Sequence, residues 1–265
     1  SQGRPSTPKP VPAPRSGSGA AGCMRYALVV PAAGSGRRFG AAVLRKQYEP
    51  LAGATVIEHA LAPFLTDSRC HRIVVAIAAD DAAWSQIAAR CQARAVCPVV
   101  AVTGGAERAQ SVHRALTALE EGADDGDWVL VHDAARPCIA RAGIDSLIAA
   151  ALSHPVGGLL AVPVADTLKR GVRVGGALQV ECTEARDSLW RALTPQMFRL
   201  GPLARALASA LGARRQPTDE AQAMEWQGLA PLLVPGDARN IKVTTPADLA
   251  LAEVLLQGRA SMRQP

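Results

Sequence analysis

Short apolar segments alternate with segments of helical spacing through the first half of the chain. Residues 26–30, YALVV, contain no polar interruption, as expected of a strand buried on both faces of a parallel sheet. The same patterns predict further strands at 73–78, 99–102 and 128–131, and helices at 55–64, 80–94 and 106–121. This alternation predicts an α/β fold with a doubly wound, mostly parallel sheet of Rossmann-like class.

The second half of the chain predicts the rest of this sheet and a hairpin that projects from it. Segments 163–170 and 178–186 flank a glycine-rich reversal at 171–176, which predicts a β-hairpin arm over about 163–187. An isolated two-stranded ribbon is marginal in water, so we expect the arm to pack against a partner. The remaining elements are strands at 158–162 and 232–234 and helices at 202–211, from 218 onward and at 247–256.

Composition separates a tail from the predicted domain. The net charge is +6, and residues 1–22 account for +3 of it because they contain three basic residues and no acid. Thirteen of those 22 residues are Pro, Gly or Ser, too little apolar surface to offset the entropy of ordering. We therefore predict a disordered tail at 1–23, one domain at 24–258 and a C-terminal tail at 259–265. The domain is only mildly basic, which argues against nucleic-acid binding.

Two classes of protein are disfavoured by what the sequence lacks. No apolar run reaches the roughly eighteen residues that cross a bilayer, and the N-terminus has no continuous apolar core of a secretory signal. We expect a cytoplasmic protein with no membrane contact. The six cysteines form no C-x-x-C pair, so a cysteine metal centre or a disulfide framework is poorly supported.

The loop after the first strand carries the first candidate chemistry. Pro31, Ala32, Ala33 and the run Gly34-Ser35-Gly36 offer almost no side chain, and Arg37, Arg38 and Lys46 follow as cations. Bare backbone N–H groups can approach an anion closely, so this pattern predicts a cradle for the polyphosphate of a nucleoside triphosphate. The glycines match neither G-x-G-x-x-G nor the P-loop pattern. The alternative is a simple glycine turn whose arginines are solvated.

Two other strand ends carry candidate residues, and ligands of such sheets bind at the carboxyl ends of the strands. Gly104 and Gly105 precede Arg108 and Ser111 in a second bare loop that leads into a helix. Asp133 follows the strand at 128–131 and is our candidate ligand of Mg²⁺, which typically takes one or two carboxylates plus phosphate oxygens. The alternative for Asp133 is a helix cap or an ion pair with Arg136.

Two further polar positions are interpreted as structural. His132 has no second ligand at a metal-binding spacing, and we expect it to support the fold. Asp219 and Glu220 follow Thr218 at the start of a predicted helix. Capping and a favourable interaction with the helix dipole explain these acids better than a second metal site does.

Five separated motifs resemble one family. PAAGSGRR with KQY, GGxxRxxS, HDAARP, TPQ and NIKVTTP are similar to motifs of the sugar-phosphate nucleotidyltransferases, and most closely of the 2-C-methyl-D-erythritol 4-phosphate cytidylyltransferase family. Arg45 is a departure, because that family usually has proline directly before Lys-Gln-Tyr. The resemblance implies transfer of CMP from CTP to methylerythritol phosphate with release of pyrophosphate, a divalent cation such as Mg²⁺, and a homodimer formed through the arm.

The resemblance also implies a role for each matching position. The implied catalytic residues are Arg38, Lys46, Arg186 and Lys242. The implied nucleotide-binding residues are Pro31, Ala32, Ala33, Gly34, Ser35, Gly36, Gly104, Gly105, Ser111 and Ala134. The implied substrate-binding residues are Asp133, Arg136, Thr167, Arg186 and Lys242, with Asp133 also at the metal. The arm residues Thr167 and Arg186 are expected to complete the site of the other subunit.

Two alternatives remain open from the sequence. A related enzyme could use ribitol phosphate or another polyol phosphate as acceptor, because only the acceptor pocket separates these activities. A nucleotide-binding or RNA-binding regulator without turnover belongs to a different class, with the basic tail as its contact. Binding of nucleic acid through that tail should weaken steeply with salt.

Overall fold

The computed structural model describes residues 24–34 and 45–261. The tail predicted at 1–23 lies outside the described residues, as do Ser35, Gly36 and Arg38. The strands are β1 Tyr26–Pro31, β2 Pro50–Leu51, β3 Ala54–Thr55, β4 Cys70–Ile77, β5 Val99–Thr103, β6 Trp128–Val131, β7 Gly157–Pro163, β8 Leu168–Val174, β9 Ala177–Glu184, β10 Trp190–Arg199 and β11 Leu232–Pro235. The helices are α1 Val56–Leu65, α2 Trp84–Gln92, α3 Arg108–Glu120, α4 Arg141–Leu152, α5 Leu200–Gly212, α6 Glu220–Glu225 and α7 Pro246–Ser261.

Seven strands form one sheet in the order β11-β7-β10-β6-β1-β4-β5. Strand β10 runs antiparallel to both of its neighbours, β6 and β7. The other pairings in this sheet are parallel, so β1, β4, β5, β6, β7 and β11 all point the same way. Their carboxyl ends therefore share one edge, and the predicted doubly wound, mostly parallel sheet is confirmed.

Strand β1 explains why its sequence is apolar without interruption. Tyr26, Leu28 and Val30 pack into a core cluster with α1, α2 and α4 on one face of the sheet. Ala27 and Val29 pack into the cluster with α3, α5 and α6 on the other face. Because successive side chains of a strand point to opposite faces, a central strand covered on both sides needs an apolar residue at every position.

The predicted elements agree with the structure at most positions, and local chemistry explains the ends. Helix α1 begins after Thr55, which forms a capping box with Glu58. Helix α2 is shorter than the predicted 80–94 because Asp80 and Asp81 lie before its first turn, where they accept hydrogen bonds from Arg45 and Tyr48. The prediction for the start of α2 was therefore wrong by four residues.

Helix α4 and strand β10 had no prediction, and neither did the two-residue strands β2 and β3. Helix α4 buries Ile144, Leu147, Ile148 and Ala151, which recur at the spacing of a single helical face. Strand β10 contains Pro195, and proline argues against an interior strand because it cannot donate to the ladder. The ladder between β10 and β7 is irregular at this proline, between Ala192 and Gln196.

The arm is a two-stranded ribbon of β8 and β9, separate from the main sheet. Val172 pairs with Gln179 and Arg173 pairs with Leu178, so the valines of β8 lie on one face of the ribbon and Leu178 and Val180 of β9 on the other. The side chains of Val174, Leu178 and Val180 are all more than half exposed. In the described part of the chain, no helix is long and apolar enough to cross a membrane.

Candidate active site

A cavity of about 470 Å³ opens at the carboxyl edge of the sheet. The loops after β1, β5, β6 and β11 meet there because those strands are parallel. Its lining residues come from all four loops and from the turn at Lys46: Pro31, Ala32, Ala33, Gly34, Lys46, Gln47, Gly105, Ala106, Glu107, Arg108, Ser111, Asp133, Ala134, Ala135, Lys242 and Thr244. The three strand ends singled out from the sequence therefore belong to one site.

One wall of this cavity, where the loops after β1 and β5 meet, consists of closely packed bare backbone. A Cβ atom at Gly104 would lie 2.6 Å from Cβ of Ala33 and 2.8 Å from Oγ of Ser111. No ordinary side chain fits at that distance, so the close approach of the two loops requires glycine. The Gly105 N–H donates to Oγ of Ser111 at 3.1 Å, which ties the second loop to the first turn of α3.

The turn at Lys46 is held against the first loop by its neighbours. Lys46–Tyr48 form a single 3₁₀ turn in which Gln47 and Tyr48 are buried. Nε2 of Gln47 donates to the carbonyl of Ala32 at 2.7 Å, and the Tyr48 hydroxyl donates to Asp81 at 2.7 Å. These two anchors hold Lys46 at the cavity wall.

Asp133 is surrounded by three cations. Arg108 Nε donates to its Oδ1 at 3.0 Å, while Lys242 Nζ lies 2.9 Å and Arg136 Nε 3.5 Å from its Oδ2. Burial alone would raise the pKa of Asp133, but the charges of Arg108, Lys242 and Arg136 hold that pKa well below its usual range. Asp133 is therefore a carboxylate at neutral pH. The sequence suggested an ion pair with Arg136, and the structure shows that pair as one of three ion pairs of Asp133.

The loop that carries Asp133 is fixed through His132 and Thr194. The Asp133 N–H donates to Oγ1 of Thr194 at 3.0 Å, and that hydroxyl lies 3.0 Å from Nδ1 of His132. Nε2 of His132 lies 3.2 Å from the carbonyl of Arg136. A carbonyl can only accept, so Nε2 carries the proton and Nδ1 accepts from Thr194. Burial lowers the pKa of His132 to about 4, in keeping with this neutral, structural ring.

The structure assembles most of the predicted site residues but not all of them. The described nucleotide-binding candidates line the cavity together with Lys46, Asp133 and Lys242, except Gly104, which packs directly behind the wall. Arg136 lies behind Asp133, and its Nη1 donates to the carbonyl of Asn240 at 2.7 Å. Thr167 and Arg186 are exposed near the base of the arm and do not line the cavity of their own chain. Arg186 donates instead to the carbonyl of Ala165.

Glu220 is a buried neighbour of the cavity residue Arg108 that the sequence did not reveal. Asp219 caps α6 as expected, since its Oδ1 accepts from the Gln222 N–H at 2.9 Å. Glu220 is instead fully buried and accepts two hydrogen bonds from Arg108, at 2.5 and 3.1 Å. The interpretation of Glu220 as a helix-dipole acid was therefore incomplete. No spacing pattern could join two residues that lie 112 positions apart.

Comparison with known proteins agrees with this geometry. The family model described as IspD, 2-C-methyl-D-erythritol 4-phosphate cytidylyltransferase, matches residues 26–258. The chain is 50% identical over 222 residues to the enzyme of that name from Pseudomonas fluorescens strain Pf0-1, covering 83% of this chain and 91% of the relative. It is 48% identical to that from Dechloromonas aromatica, covering 89% and 99%.

This chain belongs to the 2-C-methyl-D-erythritol 4-phosphate cytidylyltransferase family. Among solved structures, it is similar to a crystal structure of a 4-diphosphocytidyl-2C-methyl-D-erythritol synthase, with a TM-score of 0.75, 37% identity and coverage of 88% of this chain and 99% of that one. It is also similar to the Francisella tularensis 2-C-methyl-D-erythritol 4-phosphate cytidylyltransferase, with a TM-score of 0.71, 34% identity and coverage of 88% and 100%.

Membership of the cytidylyltransferase family confirms two predictions from the sequence. The protein is a nucleotidyltransferase, as the motifs indicated, and its fold is that of the family. The alternative of a regulator without turnover gains no support, because the matching relatives carry the name of an enzyme over most of this chain.

Proposed function

We propose that the protein transfers the cytidylyl group of CTP to 2-C-methyl-D-erythritol 4-phosphate. A phosphate oxygen of the acceptor forms a new bond to the α-phosphorus, the bond from that phosphorus to the β-phosphate oxygen breaks, and pyrophosphate leaves. The observation that carries the proposal is a cavity that combines a bare-backbone wall with Lys46, Lys242 and Arg108, in a chain of this family. Such a cavity suits two polyanions that must approach each other.

The two halves of the cavity divide the substrates between them. The loop Pro31 to Gly34 receives the triphosphate, because backbone free of large side chains lets N–H groups reach phosphate oxygens. Ser35 and Gly36 continue that loop in sequence. Gly104, Gly105, Ser111 and Ala134 bound the space for the base and ribose. Lys242, on the other side of Asp133, receives the acceptor phosphate, while Arg136 lies behind Asp133 and holds that carboxylate.

The reaction needs no general base from the protein. A phosphate monoester has a second pKa near 6, so the acceptor is largely a dianion at neutral pH and is already a competent nucleophile. The barrier lies in bringing negative charges together and in stabilising the charge that develops on the α-phosphate. Lys46 and Arg38 are assigned to that stabilisation, and Lys242 to holding the acceptor in line.

Asp133 fits a divalent cation that is bound mainly by substrate. It is ionised and lines the cavity, but both of its oxygens already contact cationic side chains. In the described part of the chain, no group of three or more metal-ligating side chains stands ready to hold an ion. One carboxylate plus phosphate oxygens and water is the usual environment of Mg²⁺. When bound, Mg²⁺ would neutralise charge on the triphosphate, with Asp133 as its protein ligand.

The arm supports a homodimer in which each subunit completes the other's site. Its ribbon exposes apolar side chains on both faces, and such a surface is expected to be covered by a partner. A second copy of the chain would bury the ribbon. We assign Thr167 and Arg186 to contacts with the acceptor bound in the partner's cavity.

Release of pyrophosphate tests the activity and the acceptor together. We expect release that requires CTP, methylerythritol phosphate and a divalent cation. Ribitol phosphate in place of the acceptor, and ATP, GTP or UTP in place of CTP, should each give less than a few per cent of that rate. Faster release with ribitol phosphate than with methylerythritol phosphate would contradict the proposed acceptor. Binding of CTP without turnover of any acceptor would refute an enzymatic function.

Lys46 provides the sharpest test of the assigned chemistry. A donor aimed at the developing charge typically contributes about 10²–10³ in kcat, so Lys46→Ala should lose at least a hundredfold in turnover. Binding of CTP to that variant, measured by calorimetry, separates a transition-state role from ground-state affinity. Near-normal kcat in Lys46→Ala would show that Lys46 does not stabilise the transition state. Arg38→Ala is the parallel test for the loop outside the described residues.

A further inference from the structure

The Arg108 guanidinium joins two buried acids from distant parts of the chain. Its Nη1 and Nη2 donate to the two carboxylate oxygens of Glu220 at 2.5 and 3.1 Å, and its Nε donates to Oδ1 of Asp133 at 3.0 Å. Arg108 and Asp133 line the cavity, whereas Glu220 does not. Glu220 therefore reaches the site only through Arg108.

The bidentate pair fixes which donors Arg108 can offer to the cavity. A guanidinium has five N–H donors in a rigid plane, and Glu220 engages both terminal nitrogens. The guanidinium plane is thereby held so that only Nε faces Asp133. Without Glu220, the Arg108 side chain could take another rotamer, and its whole guanidinium could then either grip Asp133 with two bonds or bind a phosphate in a different place.

Helix α6 is anchored so that Glu220 arrives beneath Arg108. Gln196 accepts from the Ala221 N–H at 2.9 Å, and its Nε2 donates to Asp219 at 3.0 Å. Gln196 lies in β10, two residues from Thr194, which holds the Asp133 loop from the other side. The same strand therefore positions both acids that Arg108 joins.

We propose that Glu220 is a positioning residue for catalysis, which orients Arg108 and through it the Asp133 carboxylate. The simpler interpretation would be a purely structural ion pair, since breaking a buried pair destabilises any fold. The position of the Glu220–Arg108 pair distinguishes these two interpretations. This pair ends on a carboxylate in the cavity, so its loss should change turnover beyond any change in stability.

Glu220→Gln is the primary variant and Glu58→Gln its matched control. Glu58 is also a buried acid with a bidentate arginine, since Arg90 donates to it at 2.7 and 3.0 Å. Its side chain is 5% exposed, against 1% for Glu220, and neither Glu58 nor Arg90 lines the cavity. Both substitutions keep the size of the side chain and break a bidentate pair of a buried acid with an arginine. Glu58→Gln therefore reports the effect of a broken pair that does not touch the cavity.

The inference rests on the proposed function, and the readout is steady-state pyrophosphate release. We expect Glu220→Gln to lose about tenfold or more in kcat, since small misplacements at a reacting centre have effects of this size. Its KM for CTP should stay within about threefold of the wild type, and Glu58→Gln should keep wild-type kcat. Equal kcat in Glu220→Gln and the wild type would overturn the inference.

A double variant keeps the test decisive if Glu220→Gln fails to fold. Arg108→Met with Glu220→Leu removes both partners, which leaves no lone buried charge in this pair. If Glu220 acts only through Arg108, this double variant should turn over at the same rate as Arg108→Met with Glu220→Gln, which also leaves no lone buried charge in the pair. Recovery of wild-type kcat, or a large difference between the two double variants, contradicts the proposal. A wild type without turnover would instead refute the proposed function itself.

Discussion

Arg45 Nη2 donates to Oδ1 of Asp80 at 2.7 Å, and this pair holds the residue directly before Lys46. The Arg45 backbone has φ −66° and ψ 136°, the polyproline II conformation that proline adopts readily. The resemblance predicts proline at this position. Arginine therefore keeps the proline backbone, and its Nη1 adds a contact to the carbonyl of Ala33 at 3.4 Å.

Arg45→Pro should preserve the site, because the backbone already has the required φ. The substitution removes an exposed ion pair with Asp80 and a longer one, at 3.9 Å, with the buried side chain of Asp81. The exposed pair contributes at most about 1 kcal/mol, and proline restricts the unfolded chain by a comparable amount. We expect kcat within about threefold of the wild type and an almost unchanged Tm.

Arg45→Gly is the contrasting variant, since it removes both the side-chain contacts and the restriction on φ. It should lower kcat more than Arg45→Pro does. If Arg45→Pro lost turnover as strongly as Arg45→Gly, the arginine side chain itself would have a role in the reaction.

The sequence predicted the residues that follow parallel strands. Pro31, Gly105 and Asp133 come directly after or just beyond apolar strands, and the carboxyl ends of parallel strands share one edge. Their meeting in one cavity was therefore foreseeable from alternation alone. The prediction of Lys242 as a site residue came from the resemblance and not from spacing, because no local pattern distinguishes a functional lysine in a loop from a solvated one.

What could not be predicted depends on tertiary pairing. Strand β10 enters the sheet antiparallel between β6 and β7, and Pro195 conceals it in the sequence. Its insertion brings Thr194 into contact with Asp133, although the two residues are 61 positions apart in the sequence. It also brings α6, with Glu220, beneath Arg108. Helix α4 differs, because the spacing of its buried residues was visible in the sequence and could have predicted it.

Thr194→Val should weaken both the fold and turnover. Valine has the shape of threonine without the hydroxyl, so the Asp133 N–H and Nδ1 of His132 would lose a buried partner. Leaving such groups unsatisfied costs about 1–3 kcal/mol. We expect that loss in urea unfolding and a lower kcat, because the Asp133 loop is freed.

The control for that variant is Thr117→Val on α3, where the hydroxyl donates to the His113 carbonyl on an exposed face. Its free energy of unfolding should change by less than about 0.5 kcal/mol. If Thr194→Val were as neutral as this control, the clamp on the Asp133 loop would have no energetic importance.

His132 should make the fold sensitive to mild acid. Burial lowers its pKa to about 4, so between pH 6.5 and 4 the unfolded state binds a proton that the folded state does not. The free energy of unfolding then falls by up to about 1.4 kcal/mol per pH unit as pH decreases, about 3 kcal/mol in all. This contribution is fully present above pH 6.5.

Urea unfolding of the wild type and His132→Gln across this range isolates the contribution, because other titrating groups act in both proteins. The variant should be less stable at pH 7, since glutamine cannot reproduce both ring contacts. The gap between the two proteins should narrow as pH falls toward 4. A gap that stayed constant would mean that His132 keeps its ordinary pKa in the fold.

Mixing two inactive variants tests whether Arg186 acts in the partner's site. If each site combines Lys46 of one subunit with Arg186 of the other, a heterodimer of Lys46→Ala and Arg186→Ala contains one intact site and one doubly altered site. Equal mixing through unfolding and refolding gives half heterodimers in a two-fold dimer, so roughly a quarter of all sites should be intact. We expect about a quarter of wild-type activity from the mixture and almost none from either variant refolded alone.

If both residues served the same subunit's site, every site in the mixture would carry one substitution, and activity would stay at the level of the single variants. The exposed position of Arg186, away from the cavity of its own chain, favours recovery.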